Sequence, residues 1–210
     1  MKKEYVIEDT WVSYELHPET PPAGLLLSER FKGYDLSSFH EQLRMRGEEV
    51  GVVFGNRTLL SNSRSALMAS EFARDQGLYD SFHENIFQAY FTEGLNIGNL
   101  DVIAAVAGKS GLDEKETRSA VRDGRYLPRL DEARKEGHLL NLTGIPLFII
   151  ENKYHGYESQ SKLQSSYPPP RGIVQLADSA ALRFRNRSFT NKIVGAQPIE
   201  VFRNLLDKAT

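Results

Sequence analysis

Pro146 stands at the head of the most hydrophobic strand-forming run in the chain, Leu147-Phe148-Ile149-Ile150, inside the stretch TGIPLFIIENKY that spans Thr143 to Tyr154. Proline has no N–H to give a sheet ladder, so it is confined to the first residue of a strand, to an edge or to a bulge. The four apolar residues behind it, closed by the polar pair Glu151-Asn152, predict a short strand that the chain enters through the proline.

The rest of the sequence divides around that strand. Trp11 to Leu16 alternates, with Val12, Tyr14 and Leu16 on one face, and predicts an early strand stopped by His17-Pro18-Glu19-Thr20-Pro21-Pro22. A short helical piece near Leu25–Phe31 leads to a helix from about Asp35, a good N-cap residue, to about Glu49. From Ser61 to about Leu140 nearly everything reads as helix. One segment is capped by Asn62 or Ser63 and ends at Gly77, and shorter helices cover Leu100–Ala107, Asp113–Val121 and Leu127–Leu139. Phe82, Ile86, Phe87, Tyr90 and Phe91 recur at helical period, and core packing is the expected role of that row. Lys192-Ile193-Val194 predicts a second strand, followed by a helix opened by Pro198 whose apolar face is Ile199, Phe202, Leu205 and Leu206. Between the two strands, residues 155–191 are rich in Ser, Gln, Arg and Pro, with Pro168-Pro169-Pro170 favouring extended, unpaired backbone.

Composition then removes whole classes of function. The 210 residues contain no cysteine, so this chain supplies no disulfide, no thiolate metal ligand and no thiol nucleophile. Lys+Arg 26 against Asp+Glu 28 leaves a formal charge of -2, which gives no reason to expect nucleic acid or an anionic membrane as partner. No apolar run is long enough for a membrane span, and the acidic residues of MKKEYVIEDT do not fit a secretory leader, so the expected location is the cytoplasm. The five histidines, His17, His40, His83, His138 and His155, never pair at metal-ligand spacing, and neither a G-x-x-x-x-G-K nor a G-x-G-x-x-G phosphate loop occurs. No metal and no cofactor are expected. His17 is read as a turn residue, and His83 as a solvated helix residue beside the aromatic row.

Taken together, WVSYELHPETPPAG, LLSNSRSALMASEFARDQG, FHENIFQAYFTEGLNIGNLDVI, DGRYLPRLDEA, TGIPLFIIENKY and IVGAQPIEVFRNLLDK resemble the FrnE-type branch of the DsbA family of thioredoxin-like oxidoreductases. The likeness covers roughly Glu4 to Tyr154 and Lys192 to Thr210. It implies an α/β, thioredoxin-like fold with a large helical insertion. The thioredoxin-like core would be residues 1–34, 143–154 and 192–210, the helical insertion 35–142, and the atypical Pro/Ser-rich insertion 155–191. It also implies that Pro146 is a cis-proline, that Thr143, Gly144, Ile145 and Pro146 form the loop that meets an extended peptide or protein substrate, and that the family activity is protein thiol-disulfide oxidoreduction.

Two departures from the pattern shape the functional expectation. The family places a strand and a Cys-X-X-Cys helix ahead of the strand expected near Trp11, and neither is found in this sequence, so no catalytic residue is assigned and the chain is expected to be redox-inactive, truncated or degenerate. A thioredoxin sheet without that strand has an incomplete centre. Residues 172–176 or 181–184 folding back, or self-association through the gap, are the expected ways to fill it. The alternatives are a peptide- or partner-binding module built on the proline loop, and a glutathione-dependent isomerase or transferase relative.

Overall fold

A computed structural model describes residues 10–142, 144–153, 173–174, 190–194 and 198–209. The chain divides into two compact units, one of residues 15–132 and one of residues 1–14 with 133–210. No helix among the described residues is long and apolar enough to cross a membrane.

The unit 15–132 is helical. A two-residue ladder joins β1 (Leu25–Leu26) to β2 (Leu59–Leu60), and between them lie α1 (Leu27–Arg30) and α2 (Leu36–Glu48). Helices α3 (Arg64–Asp75), α4 (Tyr79–Phe87), α5 (Leu100–Lys109) and α6 (Glu114–Arg122) follow, and α7 (Leu127–Leu139) starts in this unit. The ends are where capping chemistry puts them. Asn99 caps α5 through the Asp101 N–H, and Asp113 caps α6 through the Glu116 N–H at 2.8 Å. Gly77, at φ +71°, ends α3: its N–H donates to Arg74 O, and the Leu78 N–H reaches back to Ala73 O, a Schellman stop that needs a residue at ease in the left-handed region. The core between the helices is Phe72, Phe82, Ile86, Tyr90, Ile103, Val106, Leu112, Val121 and Leu130, with small alanines letting the helices approach.

Asp35 shows how strongly such a cap can act on its own titration. One carboxylate oxygen accepts the N–H groups of Ser37 (3.0 Å) and Ser38 (3.1 Å), while the Ser38 and Ser37 hydroxyls donate at 2.6 and 2.8 Å. The Ser38 hydroxyl leads these bonds in holding the acid down at about 2, because each donor is aligned only with the ionised form. A folded-state pKa below the unfolded one stabilises above the unfolded value of about 3.9, and the benefit disappears as pH falls through the folded value. The urea midpoints of the wild type and Asp35→Ala are therefore expected to differ at pH 5 and to converge between pH 4 and pH 2. A gap that is constant over that range counts against the cap.

Charge is also used inside the unit. Glu71 of α3 is buried and receives Arg74 and Arg129, each at 3.3 Å, while Arg129 grips Asp75 with two N–H groups at 2.9 and 3.0 Å. The Tyr126 hydroxyl donates to the same Asp75 at 3.0 Å, so the start of α7 is tied to the end of α3 by directional bonds as well as by packing.

In the second unit, β3 (Leu147–Lys153) is the middle strand of a three-stranded antiparallel sheet. It pairs along Leu147–Glu151 with β5 (Thr190–Val194) and, at Asn152 and Lys153, with β4 (Ile173–Val174). The helix α8 (Ile199–Ala209) buries Phe202 and Leu206, and Phe202 meets Phe148 edge to face at 4.9 Å. Pro198 precedes the first turn of α8 rather than occupying it, and its carbonyl accepts the Val201 N–H. Of the two segments expected to fold back into the sheet, Ile173–Val174 does pair, and 181–184 lies outside the described residues.

One sequence expectation fails outright. Residues 10–16 do not form a strand, and the side chains turned inward are Ser13 and Glu15 rather than the apolar set, with Leu16 exposed. Burial of an acid there is stabilised by Arg64 at the head of α3, whose Nε and Nη2 clasp the Glu15 carboxylate at 3.0 and 2.9 Å. The alternation of apolar residues is real, but an ion pair across 49 positions of sequence overrides it.

Candidate functional site

The loop before β3 begins at the end of α7. There Asn141 adopts φ +51°, its N–H donates to His138 O at 3.0 Å, and the Leu142 N–H reaches Gly137 O at 2.9 Å. This is the Schellman pattern again, with asparagine in place of glycine, and it turns the chain out of the helix within two residues. Thr143 lies outside the described residues. Gly144 follows, and no described atom lies within 4 Å of the position a Cβ would take there. Ile145 is 41% exposed, an unusual setting for an isoleucine, and its peptide bond to Pro146 is cis. At Leu147 the chain dives into the second unit, with Leu147 and Ile149 essentially solvent-free and Phe148 on the Phe202 ring.

The loop is therefore held firmly from below while its tip stands open. Sheet pairing fixes β3 from Leu147 onward, and no described atom fills the space over Gly144. What this arrangement offers chemically is limited and specific. Gly144, Ile145 and Pro146 carry no ionisable or nucleophilic side chain, and there is no cysteine anywhere in the sequence to face them. Gly144, Ile145 and Pro146 can present backbone and one apolar side chain to an extended partner.

The other residues singled out by sequence do not join it. The His17 ring lies 3.1 Å from Glu19 in an exposed turn, where Glu19 is held below the usual carboxylate range first by a backbone hydrogen bond. His83 is not a solvated helix residue. Its ring is half-buried between Tyr79 (5.6 Å, nearly parallel) and Phe87 (4.3 Å), and burial lowers its pKa. Among the described residues no group of three His, Asp or Glu is placed to hold a metal ion.

The aromatic row splits in two. Phe82, Ile86 and Tyr90 are in the core, whereas Phe87 is 45% exposed and continues the stack from His83 to Phe91. Ordinary α-helical geometry gives this, since Phe87 lies about 100° round the axis from the buried Ile86; a π-helical turn over Gln88–Thr92 follows, in which the Glu93 N–H donates to Gln88 O. Sequence periodicity assumes constant pitch and carries no signal for that turn.

With the geometry in place, comparison with known proteins is informative. The family model of the DSBA-like thioredoxin domain matches residues 10–168. The uncharacterized protein YwbO of Bacillus subtilis is 26% identical over 147 residues, covering 69% of this chain and 72% of that protein. The crystal structure of a probable DsbA oxidoreductase from Streptomyces coelicolor superposes with a TM-score of 0.66 over 93% of this chain and 72% of its own, at 18% identity, a likeness of fold. The family match takes in the helical unit, the Gly144-Ile145-Pro146 loop and the start of the sheet, and by that match this chain belongs to the DSBA-like thioredoxin domain family.

Proposed function

We propose that this chain is a FrnE-type member of its family that binds an extended peptide segment at Gly144-Ile145-Pro146 and carries out no thiol-disulfide exchange. The observation that carries the reading is the loop tip ahead of a paired strand: Ile145 is exposed and Gly144 is uncrowded by any described atom, shortly before the solvent-free Leu147. An extended peptide laid along such a tip gains main-chain contacts and one apolar side-chain contact, and loses little entropy on the protein side because β3 is already ordered. Exchange chemistry requires an attacking thiolate, and the 210 residues contain none.

The two halves of the proposal are tested separately. In a dithiothreitol-driven insulin reduction assay the purified chain is expected to match a buffer control, and any acceleration overturns the redox half. For the binding half, a fluorescein-labelled, cysteine-free, apolar extended peptide is titrated by anisotropy. Saturable binding weakened about tenfold by Ile145→Asp, equivalent to about 1.4 kcal/mol, is expected. No binding up to millimolar protein, or equal binding by the variant, overturns it.

A further inference from the structure

Helix α6 buries one face completely: Thr117, Ala120 and Val121 point into the helical unit. On the opposite face the spacing i, i+3, i+4, i+7 brings Lys115, Arg118, Ser119 and Arg122 into one stripe. A surface cavity of about 460 Å³ opens among these four side chains and Asp123. That volume is within the range of sites for small molecules, roughly 300–1,000 Å³.

Pairing of the charges decides what the cavity can hold. Arg118 donates to Asp101 at 2.6 Å. Asp123 is matched by Arg125, which takes both its oxygens, and Arg125 also senses Glu116. Glu114 lies against Gly108 on α5, away from the stripe. The carboxylates near the cavity are thus already engaged or turned aside. Among the described residues Lys115 and Arg122 have no acidic partner, and the Ser119 hydroxyl lies between them on the exposed face. Seven residues of helix separate the two cations by about 10 Å along the axis, so a single monovalent anion cannot meet both closely.

We infer that this face of α6 is a binding site for a small ligand carrying two or more phosphate groups. Lys115 and Arg122 would each meet one charged end, and Ser119 and the Arg118 guanidinium would donate to the middle. Phosphate oxygens suit the set, since guanidinium and hydroxyl groups supply directional donors and lysine a mobile point charge. The site is independent of the Gly144-Ile145-Pro146 loop, and its fate does not depend on the peptide reading.

The test is calorimetric titration of the purified chain with inorganic tripolyphosphate at low salt. A dissociation constant below about 1 mM is expected, weakening as salt rises. The double variant K115Q/R122Q should lose about tenfold or more. A control with the same change of charge, K32Q/R44Q, should retain wild-type affinity. Both are surface changes whose folding is checked by circular dichroism. Absence of binding, equal loss in both double variants, or a sulfate titration at matched ionic strength that binds as tightly would each overturn the proposal, the last two by reducing it to net charge.

Discussion

Phe82→Ala is expected to lower the unfolding free energy by about 3–5 kcal/mol, the range for removing a fully buried phenylalanine. Phe82 has no solvent exposure and sits on α4 at the centre of the apolar cluster that α3, α5 and α6 close over. The cluster that holds it is rich in alanines and β-branched residues, such as Ala69, Ala73, Ala107, Ile103 and Val106, which have little freedom to swing into a void. The cost should therefore combine the lost transfer free energy with a persistent cavity. Urea unfolding followed by far-ultraviolet circular dichroism checks it, since the midpoint should fall while the slope stays the same. A loss below about 1 kcal/mol would mean that the helical unit collapses around the void and that its packing is looser than described.

Gly55→Ala is the second change with a large expected effect, and its cause is backbone rather than core. A Cβ at Gly55 would stand 2.0 Å from the carbonyl oxygen of Thr92 and 3.0 Å from its carbonyl carbon. The two segments cannot separate cheaply, because the Gly55 N–H donates to Phe91 O at 2.9 Å and the Thr92 hydroxyl donates to Val53 O at 2.7 Å. The π-helical turn leaves the Phe91 carbonyl without its α-helical partner, and Gly55 is the residue that satisfies it. Overpacking of about 1–3 kcal/mol, plus a broken backbone bond of about 1 kcal/mol, is expected. Gly144→Ala, where no described atom would be met, is the contrasting change and should leave the urea midpoint close to wild type. If both variants melt alike, the approach of Gly55 to Thr92 is not a stabilising contact.

Much of the helical unit was legible because its signals are local. Asp35 and Asp113 mark helix starts, Gly77 marks an end, and apolar residues at helical period mark the inner faces. The strands at Leu147 and Lys192 were legible for a similar reason, as apolar runs punctuated by proline and glycine, although the second begins earlier, at Thr190. What sequence could not show depends on partners far along the chain. Glu15 goes inside only because Arg64 meets it, and the π-helical turn at Gln88–Thr92 closes against Gly55 through the Phe91 carbonyl. Pro146 is marked in the sequence as the entry to an apolar strand, whereas the substrate-facing role of the residues around it comes from the resemblance alone. On α6, Lys115, Arg118, Ser119 and Arg122 share a face by spacing, but which cations remain unmatched among the described residues depends on the Asp101 and Arg125 pairings.

The π-helical turn at Gln88–Thr92 also bears on how such a chain diverges. A helix that carries one surplus residue can absorb a single deletion there and revert to ordinary pitch, leaving everything before it in register. Phe82 and Ile86 would keep their inward positions, and the residues after the turn would keep theirs, because only the surplus residue is removed. Relatives differing by one residue between Phe87 and Leu95 should therefore share a core on both sides of the turn and differ only in the pitch of the turn itself. A one-residue gap at that point in an alignment would mark a change of pitch, not an error of alignment.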